Sequence, residues 1–406
     1  MFRTKWIFNL FILFFIGIIL PVSLVAKENK IKPGVIITQE NYKNYLSDLK
    51  ELLPISSTFL LYSHGLEQGW VTMPIVETVN YPPPKGVGEA TAKYASRCRT
   101  GPNNSLEGWV AGVPFPNPKT GLELGWNAYR RRGGGDDYSI PADFYLIGKN
   151  GKVERTFRWV LYGKRWLGRV DNPPFGDMPG NNGVLNLKEA LIITKPFDVK
   201  GFCMIKVRYE DLDREDENYS FIPAIRRIRR LTGADVTDPL LGSDCIPDDF
   251  EVWRQKITPK MTFKMRDKTI LAPRACQYGK KPPYESFIKG NCFQIEWEIR
   301  PCWELEIMIN DPNYLYSKRI MYVDKKDGCC NLWSGEGYDQ KGRLFRTLPI
   351  VNAIFNFENN RRGCCGFTYY NCLTGHSTLM DMDYNLSGVA VPLEKFTIKS
   401  LLRDAR

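Results

Sequence analysis

The chain has 406 residues, of which 43% are hydrophobic and 25% charged, a balance that excludes both a disordered polymer and a membrane-like chain. Its formal net charge of +11 fits attraction to anionic lipid headgroups or other anionic polymers, and equally fits simple solubility. The 22 Phe, 20 Tyr and 10 Trp favour pleated, half-buried surfaces, and 27 Pro with 34 Gly imply many turns.

At the start, Arg3 and Lys5 precede an apolar run from Trp6 to Leu20, broken only by Asn9 and Gly17. Pro21 ends the run, Ser23-Leu24-Val25-Ala26 supplies a small exit residue, and Lys27 to Lys30 is abruptly polar. A basic start, a short apolar stretch and a small residue predict a signal peptide over 1–26, cleaved on export, with 27–406 as one β-rich domain. The run is shorter than the roughly 20 residues that span a bilayer. Leu24 is a poor small residue for cleavage, so an uncleaved N-terminal anchor is the alternative. Export removes nucleic acid as a partner. It also allows the 11 cysteines to pair as disulfides, an odd count leaving one unpaired or intermolecular.

Tyr42, Leu46, Leu49 and Leu53 form one helical stripe, predicting a helix capped by Thr38 and stopped at Pro54. Residues 75–142 are rich in Pro and Gly and predict irregular chain, with helical turns near Leu122 to Tyr129. Strands are predicted from Asp143 onward. Asp143–Gly148 and Lys152–Tyr162 flank Asn150-Gly151, a hairpin signal, and 202–209 alternates. Phe293, Ile295, Trp297 and Ile299 alternate with polar residues, and Trp303, Leu305, Ile307 and Ile309 repeat the pattern after Pro301. This predicts antiparallel sheet with one apolar and one polar face. Further strands are predicted at 317–323, 329–338, 343–357 and 366–372, with turns at Asp327-Gly328 and Lys341-Gly342. A short helix or packed tail follows from Leu393 to Arg403.

Catalytic patterns are largely missing. Cys364, Cys365, Cys372 and His376 could hold zinc, but vicinal cysteines in a strand point to opposite faces, and disulfides explain them better. Gly375-His376-Ser377 lacks the second glycine of a nucleophile elbow. Ser63-His64-Gly65 is an adjacency, not a triad. No phosphate-binding glycine loop is present, and Gly133 to Gly135 lacks the required lysine. The expectation is no enzyme, no metal and no cofactor; an enzyme on anionic glycans would need a groove with two converging acids. Two arginine runs remain, Arg130 to Arg132 and Arg226 to Arg230. In a strand, Arg227 and Arg229 share a face and could fork onto phosphate or carboxylate, or simply form a solvated, salt-bridged surface.

Gly112-Val113-Pro114-Phe115-Pro116, then Gly121-Leu122-Glu123 with Trp126-Asn127, resembles an exported bacterial family, domain of unknown function 1329. Tyr316-Ser317-Lys318-Arg319, Tyr322 with Asp324, Tyr338-Asp339 before Gly342, and Phe396-Thr397 with Leu402-Arg403 echo it across residues 35–406. The resemblance implies a periplasmic, mainly β fold: a large curved antiparallel sheet or unclosed β-barrel, of the LolA and LolB lipoprotein-sorting kind. A helical plug and a long irregular N-terminal segment complete it. It implies no catalytic residues. It also implies association with membrane exporters of the resistance-nodulation-division type, hence a lipid or other apolar cargo. On that reading Phe293, Ile295, Trp297, Ile299, Trp303, Leu305, Ile307 and Ile309 line an apolar cavity, with Arg227 and Arg229 at its rim. The same apolar residues fit an ordinary core, and a ligand-free docking protein of the envelope is the alternative.

Overall fold

The structure is a computed structural model that describes residues 29–53, 55–131, 135–231, 237–277, 288–326, 332–348, 352–356, 361–382 and 390–404. The expected signal peptide, the triple-glycine segment and the Asp327-Gly328 turn fall wholly or mostly outside these residues.

Two large sheets dominate. The first runs β1 (Ile36–Ile37), β2 (Met73–Val76), β15 (Trp297–Ile309), β16 (Lys318–Asp324), β17 (Leu332–Tyr338) and β18 (Leu344–Leu348), with β11 (Met261–Pro273) on the free side of β15. The second has ten strands. Its order is β10 (Arg227–Leu231), β9 (Glu217–Ile222), β8 (Cys203–Tyr209), β7 (Leu185–Lys195), β6 (Val153–Arg165), β5 (Asp137–Ile147), β21 (Ser377–Met382), β20 (Arg361–Tyr370), β19 (Asn352–Asn356) and β12 (Cys276–Gln277). Two small ribbons, β3 (Arg99–Thr100) with β4 (Leu106–Glu107) and β13 (Ile288–Lys289) with β14 (Cys292–Phe293), complete the strands. Pairing is antiparallel apart from β2 on β15 and β12 on β19. A bridge between Arg346 and Asn371 joins the sheets at one side, and they do not close into a barrel.

Between the sheets lies one hydrophobic core. It joins Phe144, Trp159 and Ile193 of the larger sheet to Trp297, Leu305 and Ile307 of the smaller through helix residues Leu49, Tyr62 and Trp126. The helices are α1 (Leu46–Leu52), α2 (Ile55–Glu67), α3 (Lys85–Tyr94) and α4 (Gly121–Arg130), and α5 (Ile398–Asp404) covers the outer face of β7 and β8. The edge of the Tyr62 ring meets Trp297 at 4.6 Å between centroids. The expected helical plug is thus present.

Several expectations change. The helix predicted from Thr38 starts only at Leu46, after a 3-10 turn over Tyr42–Tyr45. Asn41 Oδ1 accepts from Thr38 N at 2.8 Å, and this local turn displaces the first helical turn. In the segment 75–142, predicted as irregular, α3 and the first residues of β5 are regular, while α4 falls where helical turns are predicted near Leu122 to Tyr129; Thr120 caps it through Oγ1, which accepts from Glu123 N at 3.2 Å. The two strands expected on either side of Pro301 are one strand, β15. Pro301 accepts from Lys325 N at 3.2 Å, so its missing N–H points to the side where pairing with β2 has ended and pairing with β16 starts at Cys302. No ladder bond is lost there. The hairpin at Asn150-Gly151 holds, with Gly151 at φ 74°.

The polar face of β15 is buried rather than wet. Glu298 and Arg300 are both 0% exposed. Arg300 Nε donates to Asp324 Oδ2 at 2.5 Å, and Arg300 also donates to Glu298 and to the Val79 carbonyl. Tyr81 Oη donates to Glu298 at 3.0 Å and Trp333 Nε1 to Asp324 at 2.8 Å, while both rings face the guanidinium. A second sheet face buried under residues 79–81 holds its charges mostly by such contacts, although Arg300 Nη2 has no partner among the described residues.

Candidate site: an arginine recess beside an apolar groove

The inner face of β6, β7 and β8 changes character along the strands. Cross-strand register places Leu161, Leu191 and Met204 in one row, Gly163, Glu189 and Lys206 in the next, and Arg165, Leu187 and Arg208 in the third. Rows on one face repeat every two residues, so the apolar and arginine rows stand ~13 Å apart. Outer-face residues Ala190, Ile192, Cys203 and Ile205 pack under Leu401 of α5, which leaves the inner face for other partners.

A strap over residues 237–257 crosses this inner face. Leu240, Pro247 and Phe250 roof the Leu161, Leu191 and Met204 row, forming a groove open to solvent. Trp253 and Arg254 roof the arginine row, where Trp109, Tyr129, Arg130, Arg131 and Asn186 add the walls of a second recess. The Glu189 and Arg254 pair, Oε1 to Nη1 at 3.1 Å, stands between the two spaces.

Local sequence explains this placement. Gly163 lies between Tyr138 and Glu189 in register, and a Cβ there would sit 1.9 Å from the Tyr138 ring. Its absence lets Tyr138 lie across β6 and donate its hydroxyl to Glu189. The strap is clamped at three points. Asp249 accepts from Arg319 Nη1 at 2.8 Å and from Tyr316 Oη at 2.6 Å; Asp248 accepts from Tyr314 Oη at 2.9 Å. Asp244 meets His376 Nδ1 at 2.5 Å and accepts from Thr378 Oγ1 at 3.1 Å. Gly337 leaves room for the Tyr316 ring, since a Cβ there would lie 2.4 Å from it.

The recess gathers several cations among the described residues. Arg130, Arg131, Arg165, Arg208 and Arg254 line it, with Lys206 and Lys256 adjoining. The facing acids are Glu189, Glu210, Asp216 and Asp248. The Arg130 side chain is 7% exposed; its guanidinium stacks 4.0 Å from the Trp109 ring, Nη1 donates to Glu210 at 3.0 Å, and its buried Nε has no partner. Burial works to raise the Glu210 carboxyl, but Arg130, Asn186 and Lys256 outweigh it and hold it below the usual range. Burial beside Arg208 pulls the Lys206 ammonium down. A group bearing phosphate or carboxylate would find forked donors and positive potential here.

The residues expected to line a cavity lie elsewhere. Phe293, Ile295, Trp297, Leu305, Ile307 and Ile309 are buried in the common core, and Ile299 and Trp303 pack against it half-buried. Neither the recess nor the groove is lined by them. Arg227 and Arg229 are exposed on the edge strand β10, and Arg229 falls in the row of Leu191, Met204 and Ser220 without lining the groove. Ile225 ends a 3-10 turn and Arg226 is left-handed, so neither joins the strand as expected. Of the recess, sequence reasoning flagged only the run at Arg130. The missed signal is charge on one face of adjacent, otherwise apolar strands: Arg165, Glu189, Lys206 and Arg208.

The remaining chemistry is structural in placement. Ser377 is fully buried in β21, and His64 packs edge-on against Trp70. The disulfides expected of this chain are not made by Cys98, Cys203, Cys245 or Cys292, which are free thiols. Burial raises all four, Cys203 to about 11. The side chains of Cys364 and Cys365 lie outside the described residues. No group of three metal-ligating side chains occurs among the described residues, and no described helix is long and apolar enough to cross a membrane.

Comparison with known proteins places the chain among relatives. An uncharacterized protein of Pseudomonas aeruginosa is 21% identical over 315 residues, covering 74% of this chain and 66% of that protein, just under two thirds of its length. Among solved structures, a domain provisionally described as an outer membrane lipoprotein-sorting protein from Vibrio parahaemolyticus is 20% identical, with a TM-score of 0.48 over 70% of this chain and 98% of the other. A DUF1329 family protein from Desulfovibrio piger has 17% identity and a TM-score of 0.46 over 66% and 92%. A LolA superfamily protein from Nitrosomonas europaea has 15% identity and a TM-score of 0.43 over 69% and 98%. The family model described as protein of unknown function (DUF1329) matches residues 36–401, and the chain belongs to that family.

Proposed function

We propose that this protein is a periplasmic carrier that shields an amphiphile, its apolar part in the groove and an anionic head in the arginine recess. The observation that carries the reading is the adjacency of the two spaces under one strap, with apolar and arginine rows on the same strand face. An exposed methylene costs about 0.8 kcal/mol in water, so a lipid moves between membranes only if its chain stays covered. The groove supplies that cover, and the recess fixes orientation. This relocates the cargo from the β15 face to the β6–β8 face. The receiving partner is a membrane exporter or an outer-membrane acceptor, as the family resemblance implies.

Mass spectrometry of the protein purified from its native envelope is expected to find a bound anionic lipid or fatty acid. Met204→Trp, which fills the groove, is expected to cut uptake of a fluorescent fatty acid about tenfold while leaving the fold intact. Protein recovered without lipid, together with no fatty-acid uptake, sinks the reading. The packed core between the sheets favours the alternative in that case, a docking protein without cargo.

A further inference from the structure

Three hairpin tips stand side by side at one end of the larger sheet: 148–152 between β5 and β6, 196–202 between β7 and β8, and 223–226 between β9 and β10. A Cβ at Gly201 would lie 3.5 Å from the Pro223 ring, so the second and third tips touch. Phe197 is 93% exposed on the middle tip, and Ile225 and Ile228 are 53% and 57% exposed beside it. Arg226, Arg227 and Arg229 are exposed on the same hairpin and form no ion pair with a carboxylate among the described residues. The neighbouring acids are already engaged: Asp198 by Arg155, and Glu217 by Tyr209 and Tyr219.

We infer that these tips rest on an anionic bilayer surface, with Phe197 and Ile225 among the headgroups and Arg226, Arg227 and Arg229 forked onto lipid phosphates. A protein partner would call for a contiguous apolar centre with a polar rim. Here three exposed apolar side chains on two tips stand beside arginines with no carboxylate partner among the described residues. That arrangement matches a layered surface, where phosphates lie just above the acyl boundary. Guanidinium on phosphate is the strong, forked form of the contact. The inference rests on the tips alone and holds or fails independently of any cargo in the groove.

The test is amide hydrogen exchange on the full chain, with vesicles of phosphatidylcholine alone or mixed equally with phosphatidylglycerol. The readout is local, which separates the tips from the apolar run Trp6 to Leu20. Exchange over 196–202 and 223–231 is expected to slow about tenfold with the mixed vesicles only, and to recover in high salt. The triple variant Arg226→Glu, Arg227→Glu, Arg229→Glu is expected to abolish the slowing, and Phe197→Ser to reduce it severalfold; exchange elsewhere in the larger sheet reports that each variant is folded. No slowing, or equal slowing with both vesicle types, overturns the inference. Slowing without vesicles at raised protein concentration overturns it in favour of a second copy of the chain.

Discussion

Two of the places where arginine is buried in this molecule are built differently. On the polar face of β15, Arg300 is 0% exposed and lies between Glu298 and Asp324, with Tyr81 and Trp333 completing the shell. In the recess, several arginines converge on a space that opens to solvent, beside an apolar groove. Burial of charge is therefore not the functional signal in this fold. What separates the clusters is access, together with an excess of donors over the acids that face them.

The comparison breaks first at Arg300. Arg300→Met leaves Glu298 and Asp324 buried without their shared cation, and the expected loss is about 3–5 kcal/mol in denaturant unfolding. A loss below about 1 kcal/mol would mean the closed cluster is not structural. Gly337→Ala comes next, because its Cβ meets the buried Tyr316 ring and unseats Asp249 from the strap. About 1–3 kcal/mol of stability is expected to go, with faster amide exchange in the strap than elsewhere. Arg165 lies at the open recess, and among the described residues its side chain holds only the Gly135 carbonyl, Nε to O at 3.1 Å. Arg165→Ala is expected to cost about 1 kcal/mol or less in stability. It should nonetheless weaken retention of a fatty-acid anion about tenfold, as loss of one charged hydrogen bond implies. Large stability loss with unchanged retention would place Arg165 in the closed class.

Alternation made the larger strands legible in the sequence. β6, β8 and β16 fall close to the predicted positions, β5 starts at Asp137 instead of Asp143, β15 joins the two strands expected around Pro301, and the Asn150-Gly151 turn pins the first hairpin. What misled was the assumption that polar alternation marks solvent. Glu298, Arg300 and Glu304 read as a wet face in sequence, yet they are buried because residues 79–81 come from more than 200 positions away to cover Glu298 and Arg300. The recess was hidden for a related reason. Its arginines come from α4, the end of β6, β8 and the strap, so no local window contains the cluster. Only strand register shows Leu161, Leu191 and Met204 facing the same way as Arg165 and Arg208. Apolar periodicity reports that a face is covered but not whether the cover is core or cargo, which is why the β15 residues were the ones that stood out.

The smallest effect sharpens the contrast by its sign. Burial raises the Glu298 carboxyl above its ordinary value despite Arg300, Tyr81 and Arg274. The folded state then binds more protons than the unfolded one between the ordinary and raised values, so this group's contribution falls as pH rises through that window. For Glu210 burial also pushes upward, but Arg130, Asn186 and Lys256 prevail and the carboxyl is lowered. Its stabilisation is fully present above the unfolded value near 4.5 and is lost as pH falls through the folded one. Unfolding free energies of Glu298→Gln and Glu210→Gln, each relative to the parent chain across acid pH, are thus expected to drift in opposite directions. As pH falls, the parent should gain on Glu298→Gln and lose on Glu210→Gln. Parallel drifts would mean that the two carboxylates sit in equivalent surroundings, and the distinction between a sealed ionic core and an accessible cationic recess would then fail at its chemical root.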